Sequence, residues 1–181
     1  MTKILSFDLS TVSTGFALIT NGKIVADAYG TISPPKKLKG GAKLVYFQDE
    51  IRKIIKKFKP DLICIESIFK GPGLIAYKSL SMHRGVVVKT IYEEMGKDPC
   101  SILAVEARAT LDLSSSKDDA FKEAIKKYKL KGFDFIKDND VIDALILGVA
   151  IEKLLKDGRK EKDLQVENKP KKKKSKKGKK K

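Results

Sequence analysis

Gly15-Phe-Ala-Leu-Ile-Thr20 and Lys23-Ile-Val-Ala-Asp-Ala-Tyr-Gly-Thr31, joined by Asn21-Gly22, decide how the chain begins to fold. Asn-Gly between two strand-like runs is a strong hairpin signal, because both positions tolerate the positive φ that a two-residue turn demands. Upstream, Ile4, Phe7 and Leu9 bracket Asp8 in a third short strand pattern. The chain therefore opens as a three-strand β-meander, with Asp8 in mid-strand. Downstream, Ser33-Pro34-Pro35 through Gly40-Gly41 reads as loop, and Leu44, Phe47, Ile51, Ile54, Ile55 and Phe58 then follow helical spacing until Pro60. Asp61-Leu-Ile-Cys-Ile-Glu66 is apolar on both faces, as a central strand covered by helices should be, and it ends in a carboxylate. After the Gly71-Pro72-Gly73 loop, a long helix is expected over Ile75 to Met95, a strand over Ile102 to Val105, and helices over Lys117 to Tyr128 and Asn139 to Leu155. The order βββαβαβαα gives an α/β sheet with an antiparallel meander at one end.

The 181 residues and 41% hydrophobic content suit one domain with a real core. The net charge of +16 is uneven, because ten lysines crowd into Lys169 to Lys181 and leave about +6 on residues 1–168. Residues 1–157 are expected to fold, and 158–181 to form a disordered Lys-rich tail. Such a tail can tether DNA without reading its sequence, serve as a nuclear-localisation-like address, or aid solubility. No apolar run is long enough to span a membrane and no export signal is visible, so an unexported, cytoplasmic protein without membrane association is expected. Cys64 and Cys100 make neither a disulfide framework nor a metal motif, and are expected to be reduced structural thiols. The lone His83 removes the usual zinc ligand sets and most histidine acid/base schemes. Any chemistry falls to carboxylates.

Four acids stand where an α/β sheet exposes functional groups: Asp8, Glu66, and the i, i+3 pair Asp140 and Asp143. Val141, Ile142, Ala144, Leu145, Ile146, Leu147 and Val149 make the helix around that pair apolar nearly all round, so it should be buried with its acids turned into the fold. Like charges at that spacing repel, which calls for something positive between them. Hard oxygen ligands suit Mg²⁺ or Mn²⁺, and two such ions can serve an in-line displacement at phosphorus. Each acid also has a plainer role: Asp8 as a turn cap, Glu66 as a solvated strand end, Asp140 and Asp143 as an N-terminal cap and helix-dipole partners.

Ser6-Phe-Asp8-Leu-Ser10-Thr-Val-Ser-Thr14-Gly15 before a strand, Ile65-Glu66-Ser-Ile-Phe69, Arg84-Gly85, and Asn139-Asp140-Val-Ile-Asp143-Ala144-Leu145 together resemble the RuvC family of four-way (Holliday) junction resolvases. The match runs from about Lys3 to Ile151. It implies an RNase H-like mixed sheet flanked by helices, with Asp8, Glu66, Asp140 and Asp143 as metal-binding catalytic acids around two Mg²⁺ ions, Mn²⁺ serving as substitute. It places Phe69 where an aromatic stacks on junction bases, and Arg108 and Lys117 where they hold phosphates, Lys117 being counted with the catalytic set. It further implies a homodimer, with one chain per cut strand of branched DNA, and hydrolysis leaving 5′-phosphate and 3′-hydroxyl ends. Ile75, Leu80, Met82, Val86, Val87 and Ile91 give the long helix a candidate dimer face, unless its own core absorbs it. Two departures stand out. Ser10 occupies a position where the family usually has glycine, and the lysine tail is foreign to the bacterial pattern, which points to a divergent member in a bacterial cell or a virus-infected host.

Two other classes compete. Asp8-Leu-Ser10-Thr-Val-Ser-Thr14-Gly15 also resembles the phosphate hairpin of actin-like and sugar-kinase ATPases, which need a second such domain. A non-catalytic nucleic-acid-binding module would use only the basic tail, and would leave the buried Asp140/Asp143 pair without a partner.

Overall fold

The computed structural model describes residues 1–68 and 73–166. Five strands, β1 (Ile4–Asp8), β2 (Thr14–Thr20), β3 (Lys23–Ile32), β4 (Leu62–Glu66) and β5 (Cys100–Ile102), form one mixed sheet in the order β3-β2-β1-β4-β5. The first three are antiparallel neighbours, and β1, β4 and β5 run parallel. Asn21 and Gly22 turn the expected hairpin with φ of 53° and 70°. The parallel strands are joined by α1 (Gly40–Phe58) and α2 (Leu74–Met95), and α3 (Ala104–Thr110), α4 (Lys117–Lys127), α5 (Phe135–Lys156) and α6 (Glu161–Leu164) follow.

Side-chain alternation divides the core between the two faces of the sheet. Leu5 and Phe7 of β1, with Ile63 and Ile65 of β4, pack under Phe47 and Ile51 of α1 and Val87 and Ile91 of α2. Ile4, Ala17, Ile19, Leu62 and Cys64 meet α5 on the other face. From Val141 to Glu152 every residue of α5 except Asp143 is buried, so this helix lies at the centre of its layer. Truncating its fully buried Leu145 to alanine should cost about 2–5 kcal/mol.

Helix α5 approaches the sheet along the stripe Asp140, Ala144, Gly148. The Ser6 hydroxyl donates to the Ala144 carbonyl at 2.6 Å. A Cβ on Gly148 would stand 2.4 Å from Ile19 Cδ1, and one on Gly15 would stand 2.1 Å from the Asp140 carbonyl oxygen. Two glycines on opposite partners thus set how closely the helix can lie on β1 and β2, and they fix the height of the Asp140–Asp143 turn above Asp8.

Several expectations shift. Asp8 ends β1 rather than lying in mid-strand. The strand placed at Ile102 to Val105 is β5, ending at Ile102, and Val105 lies in α3, 59% exposed. Ala104, Ala107 and Ala109 are strong helix formers, and their propensity prevails once the strand leaves the sheet. Helix α5 starts at Phe135, capped by Asp134, whose carboxylate accepts from Ile136 N (3.0 Å) and Lys137 N (3.3 Å). Asp140 and Asp143 therefore lie past the first turn, where neither capping nor the helix dipole explains them.

The folded part extends beyond residue 157. Leu164 is buried, Val166 N donates to Pro99 O at 3.1 Å, and Gln165 bridges to Cys100. Leu164 and Val166 supply the apolar anchors that keep this segment against β5, and the rest of the expected tail, 167–181, lies outside the described residues. Val87 and Ile91 belong to the protein's own core, as does half-buried Leu80, which leaves Ile75 (86% exposed), Met82 (61%) and half-buried Val86 of the expected dimer face outside it. Ser10 keeps a negative φ, so serine fits there without strain. Cys64 and Cys100 are free and buried, and burial pushes the Cys100 thiol up to about 12. Among the described residues no helix is long and apolar enough to cross a membrane.

Candidate active site

In the parallel pairing of β1 with β4, Phe7 stands opposite Ile65, so the next residues, Asp8 and Glu66, leave their strands side by side. From β1 the chain moves outward to β2 and β3 on one side and to β4 and β5 on the other. The crevice beyond the carboxyl ends of such strands is where open α/β sheets receive ligands. Here it is a cavity of about 160 Å³, lined by Asp8, Glu66, Asp143, Lys117 and Arg108 above an apolar wall from Ile146 and Leu147.

Lys117, the first residue of α4, places its ammonium 2.7 Å from Asp143 Oδ2. The Asp8 and Glu66 carboxyls are close enough to share a hydrogen bond and to shift one another's pKa. Burial, and then the charges of Glu66 and Asp143, hold the Asp8 carboxyl well above the usual carboxylate range. Burial likewise raises Glu66, against the pull of the Asp8 hydrogen bond and of Lys117 and Arg108. Burial alone would depress Lys117, but Asp143 and then Asp8 and Asp140 more than offset it, and its pKa rises. The three carboxyls that line the cavity outnumber its two cations, Lys117 and Arg108.

Asp8, Glu66, Asp143, Arg108 and Lys117 therefore converge. Asp140 does not line the cavity: it sits one turn earlier on α5, where its backbone abuts Gly15, the strand partner of Asp8. Among the described residues no three acids, histidines or cysteines are yet gathered closely enough to grip a metal, because Asp143 turns to Lys117 and Asp8 to Glu66. The donor set nevertheless fits a hard divalent cation: all oxygen, partly desolvated, and short of positive charge. Phe69 lies outside the described residues.

One contributor carried no role in the sequence reading. Arg84 of α2 donates from Nη1 to the Glu66 carbonyl (2.9 Å) and from Nη2 to Ser101 Oγ (3.0 Å), which ties the end of β4 to β5. Its presence in Arg84-Gly85 was legible, but a bond to a backbone carbonyl leaves no sequence signal.

A five-stranded mixed sheet flanked by helices, with carboxylates gathered at the ends of β1 and β4, defines an RNase H-like α/β domain. The chain is similar to RuvC proteins. It is 31% identical over 90 residues to the crossover junction endodeoxyribonuclease RuvC of Syntrophomonas wolfei, covering 49% of this chain and 52% of that relative. With RuvC of Dictyoglomus thermophilum it shares 23% over 150 residues, 81% of this chain and 94% of the relative. Among solved structures it superposes on Thermus thermophilus RuvC in complex with a Holliday junction substrate, with a TM-score of 0.74 at 11% identity, over 87% of this chain and 97% of that one. The yeast mitochondrial Holliday junction resolvase matches with a TM-score of 0.56 at 15% identity, over 84% of this chain and 78% of that one. No protein-family model matches the chain.

Proposed function

We propose that the protein is a divalent-metal-dependent endonuclease that resolves four-way and related branched DNA junctions by paired cuts. The observation that carries this reading is the carboxylate cavity with a cation in its wall: the Arg108 Nε is buried and, among the described residues, has no hydrogen-bond partner. An unpaired buried guanidinium N–H is costly, and a phosphate oxygen is the acceptor it lacks.

Asp8, Glu66 and Asp143, joined by Asp140 from the next turn, would hold two Mg²⁺ or Mn²⁺ ions. Bound there, such ions supply an acidified water and neutralise charge on the leaving oxygen. The chain's own residues do the rest. Arg108 and Lys117 orient the scissile phosphate so that attack and departure are in line, leaving 5′-phosphate and 3′-hydroxyl ends. Asp143 holds Lys117 in place until the phosphate competes for it. Ile146 and Leu147 wall off bulk water behind the acids. Arg84 keeps Glu66 at its station from behind. A homodimer presents two such sites to the two-fold symmetric junction, with Ile75 and Met82 of α2 available for that contact. Phe69 stacks on bases at the branch point, and the terminal lysines add salt-dependent, sequence-independent affinity. The protein acts in the cytoplasm of a bacterial cell or an infected host.

The test compares the wild-type chain with Asp8→Asn on a synthetic four-way junction in Mg²⁺. Paired, metal-dependent nicks by wild type alone are expected. Absence of metal-dependent cutting overturns the reading, and ATP turnover in its place returns the kinase-like alternative.

A further inference from the structure

Asp8, Glu66 and Asp143 repel one another, so each needs a rigid support. Asp143 rides on buried α5, and Arg84 holds the Glu66 carbonyl. Asp8 ends its strand where the loop 9–13 begins, and that loop is the part of its surroundings with freedom to give.

The loop is stiffened from the other face of the sheet. There α1 and α2 enclose a second cavity of about 210 Å³. Helix α1 finishes beside Lys3, whose Nζ donates to Phe58 O at 3.3 Å, so the helix begins at the Asp8 end, with Gly40 and Gly41 in a first turn that no side chain caps. Thr11 of the loop and Lys43 of α1 line the cavity. His83 of α2 lies in its wall, fully buried, with its ring centroid 4.2 Å from that of Phe47.

Thr14 opens β2 and closes the loop onto its own start. Its hydroxyl donates to Ser10 O at 3.0 Å and accepts from Ser10 N at 3.3 Å. A hydroxyl has one hydrogen, so toward His83 Nε2, 3.4 Å away, the Thr14 oxygen can only accept, and the ring carries its proton on Nε2. Burial, then Lys43, pulls the His83 pKa down to about 4, so the ring is neutral and its Nδ1 is a bare acceptor, without a partner among the described residues. Thr14 then has its one donor and both acceptor positions filled, and His83, Thr14 and Ser10 form one bonded unit two residues beyond Asp8. Gly15, the residue after Thr14, is the strand partner of Asp8, so a shift of Thr14 passes to Asp8 across a single strand pair.

Arg84, the next residue on α2, points about 100° away round the helix. It donates from Nη1 to the Glu66 carbonyl at 2.9 Å and from Nη2 to Ser101 Oγ at 3.0 Å. Two successive residues, separated by one helical rise of about 1.5 Å, therefore bond the loop that follows Asp8 and the end of β4.

We propose that His83 is a positioning residue for Asp8: with Arg84 it makes one turn of α2 the common support that sets the separation of Asp8 and Glu66 and, resting on the nuclease reading above, their joint grip on a divalent cation. Without it, repulsion moves Asp8 away from Glu66 and Asp143 and spreads the ligand set.

The test measures the Mn²⁺ affinity of the full chain by calorimetry at pH 7.5 without DNA. His83→Leu should weaken it about tenfold, the effect of losing a group that orients a metal ligand, and His83→Gln, whose amide keeps a donor, should restore most of it. In a Thr14→Val background His83→Leu should have no further effect, because the two act through one bond. Nitrogen NMR of the wild-type ring should show a protonated Nε2 and an unprotonated Nδ1. Phe47→Leu, which loosens the packing on the ring and removes no hydrogen bond, should lower the melting temperature without altering Mn²⁺ affinity. Unchanged affinity in His83→Leu, no recovery in His83→Gln, an equal loss in Phe47→Leu, or a ring protonated at Nδ1 overturns the positioning role. If wild type binds no Mn²⁺, the metal reading falls, and exchange of the Ser10 amide decides the support. Exchange about tenfold faster in His83→Leu than in wild type or Phe47→Leu upholds it, and equal exchange overturns it.

Discussion

The two cavities at the carboxyl end of the sheet share the loop after Asp8, yet their electrostatics are opposite. On the α5 face, carboxylates from two strand ends and the most buried helix are forced together, with too few cations among them. On the α1/α2 face, positive potential comes from a bare helix end and one lysine, beside a histidine that burial keeps neutral. Repulsion is built into the first and absent from the second. The lesson is that the fold tolerates destabilising groups only where rigid elements hold them. Two strand ends and α5, pinned by the Gly15 and Gly148 contacts, can hold acids together that a loop could not.

The comparison breaks most visibly at Asp8. Asp8→Asn should reduce cleavage at least about 10³-fold, the effect of several kcal/mol of lost transition-state stabilisation, while junction binding persists. The same change should raise the melting temperature at neutral pH but not at pH 4. Because the folded chain holds the Asp8 proton more tightly than the unfolded chain does, stability is intact below the unfolded carboxylate value and is lost as pH rises toward the folded one. A lower melting temperature for the variant at pH 7 would show that the acids are not in conflict.

Lys117→Gln comes next. It removes the partner of Asp143 and a phosphate ligand together, so cleavage should fall about 10²-fold, with little change in the melting temperature because the ion pair is half-exposed. Gly15→Ala attacks the scaffold instead of the charges. Its Cβ would enter the Asp140 backbone, and denaturant unfolding should show a loss of about 3 kcal/mol, at the upper end for overpacking, with cleavage reduced through the displaced α5. Unchanged stability would mean that α5 can lift from the sheet freely.

The smallest effect sharpens the contrast from the other face. His83 has a depressed pKa, so its contribution to stability is present above the unfolded value of about 6.5 and is lost as pH falls toward about 4. The acid limb of the stability curve should therefore flatten in His83→Gln, in the direction opposite to the neutral-pH gain of Asp8→Asn. Melting curves between pH 4 and 7 measure both.

Much of this was legible in the chain. Asn21-Gly22 gave the hairpin, the two-sided apolar run ending at Glu66 gave the central strand, and the apolar helix around Asp143 announced its own burial. The residues that converge on the acids were harder to place. Helix α3 was hidden because Ile102 to Val105 carries a strand-like composition, and only the arrival of the chain at the sheet edge, where the alanines take over, ends β5 at Ile102. The start of α5 was missed because Asp134 and Phe135 precede the apolar stripe, so the cap that frees Asp140 and Asp143 from a capping role carried no periodic signal. The Arg84 contact to the Glu66 carbonyl, the Asp143–Lys117 pair and the cavity at His83 are long-range, and neither spacing nor propensity encodes them.

A divalent site made from Asp8, Glu66 and Asp143 is the central claim, and calorimetric titration with Mn²⁺ in the absence of DNA addresses it directly. Wild type should bind Mn²⁺ more tightly at pH 7.5 than at pH 5.5, with net proton release read from buffers of different ionisation heat, and Glu66→Gln should lose that binding. Equal heats from wild type and Glu66→Gln, or binding that displaces no proton, would show that these carboxylates do not act together on a cation.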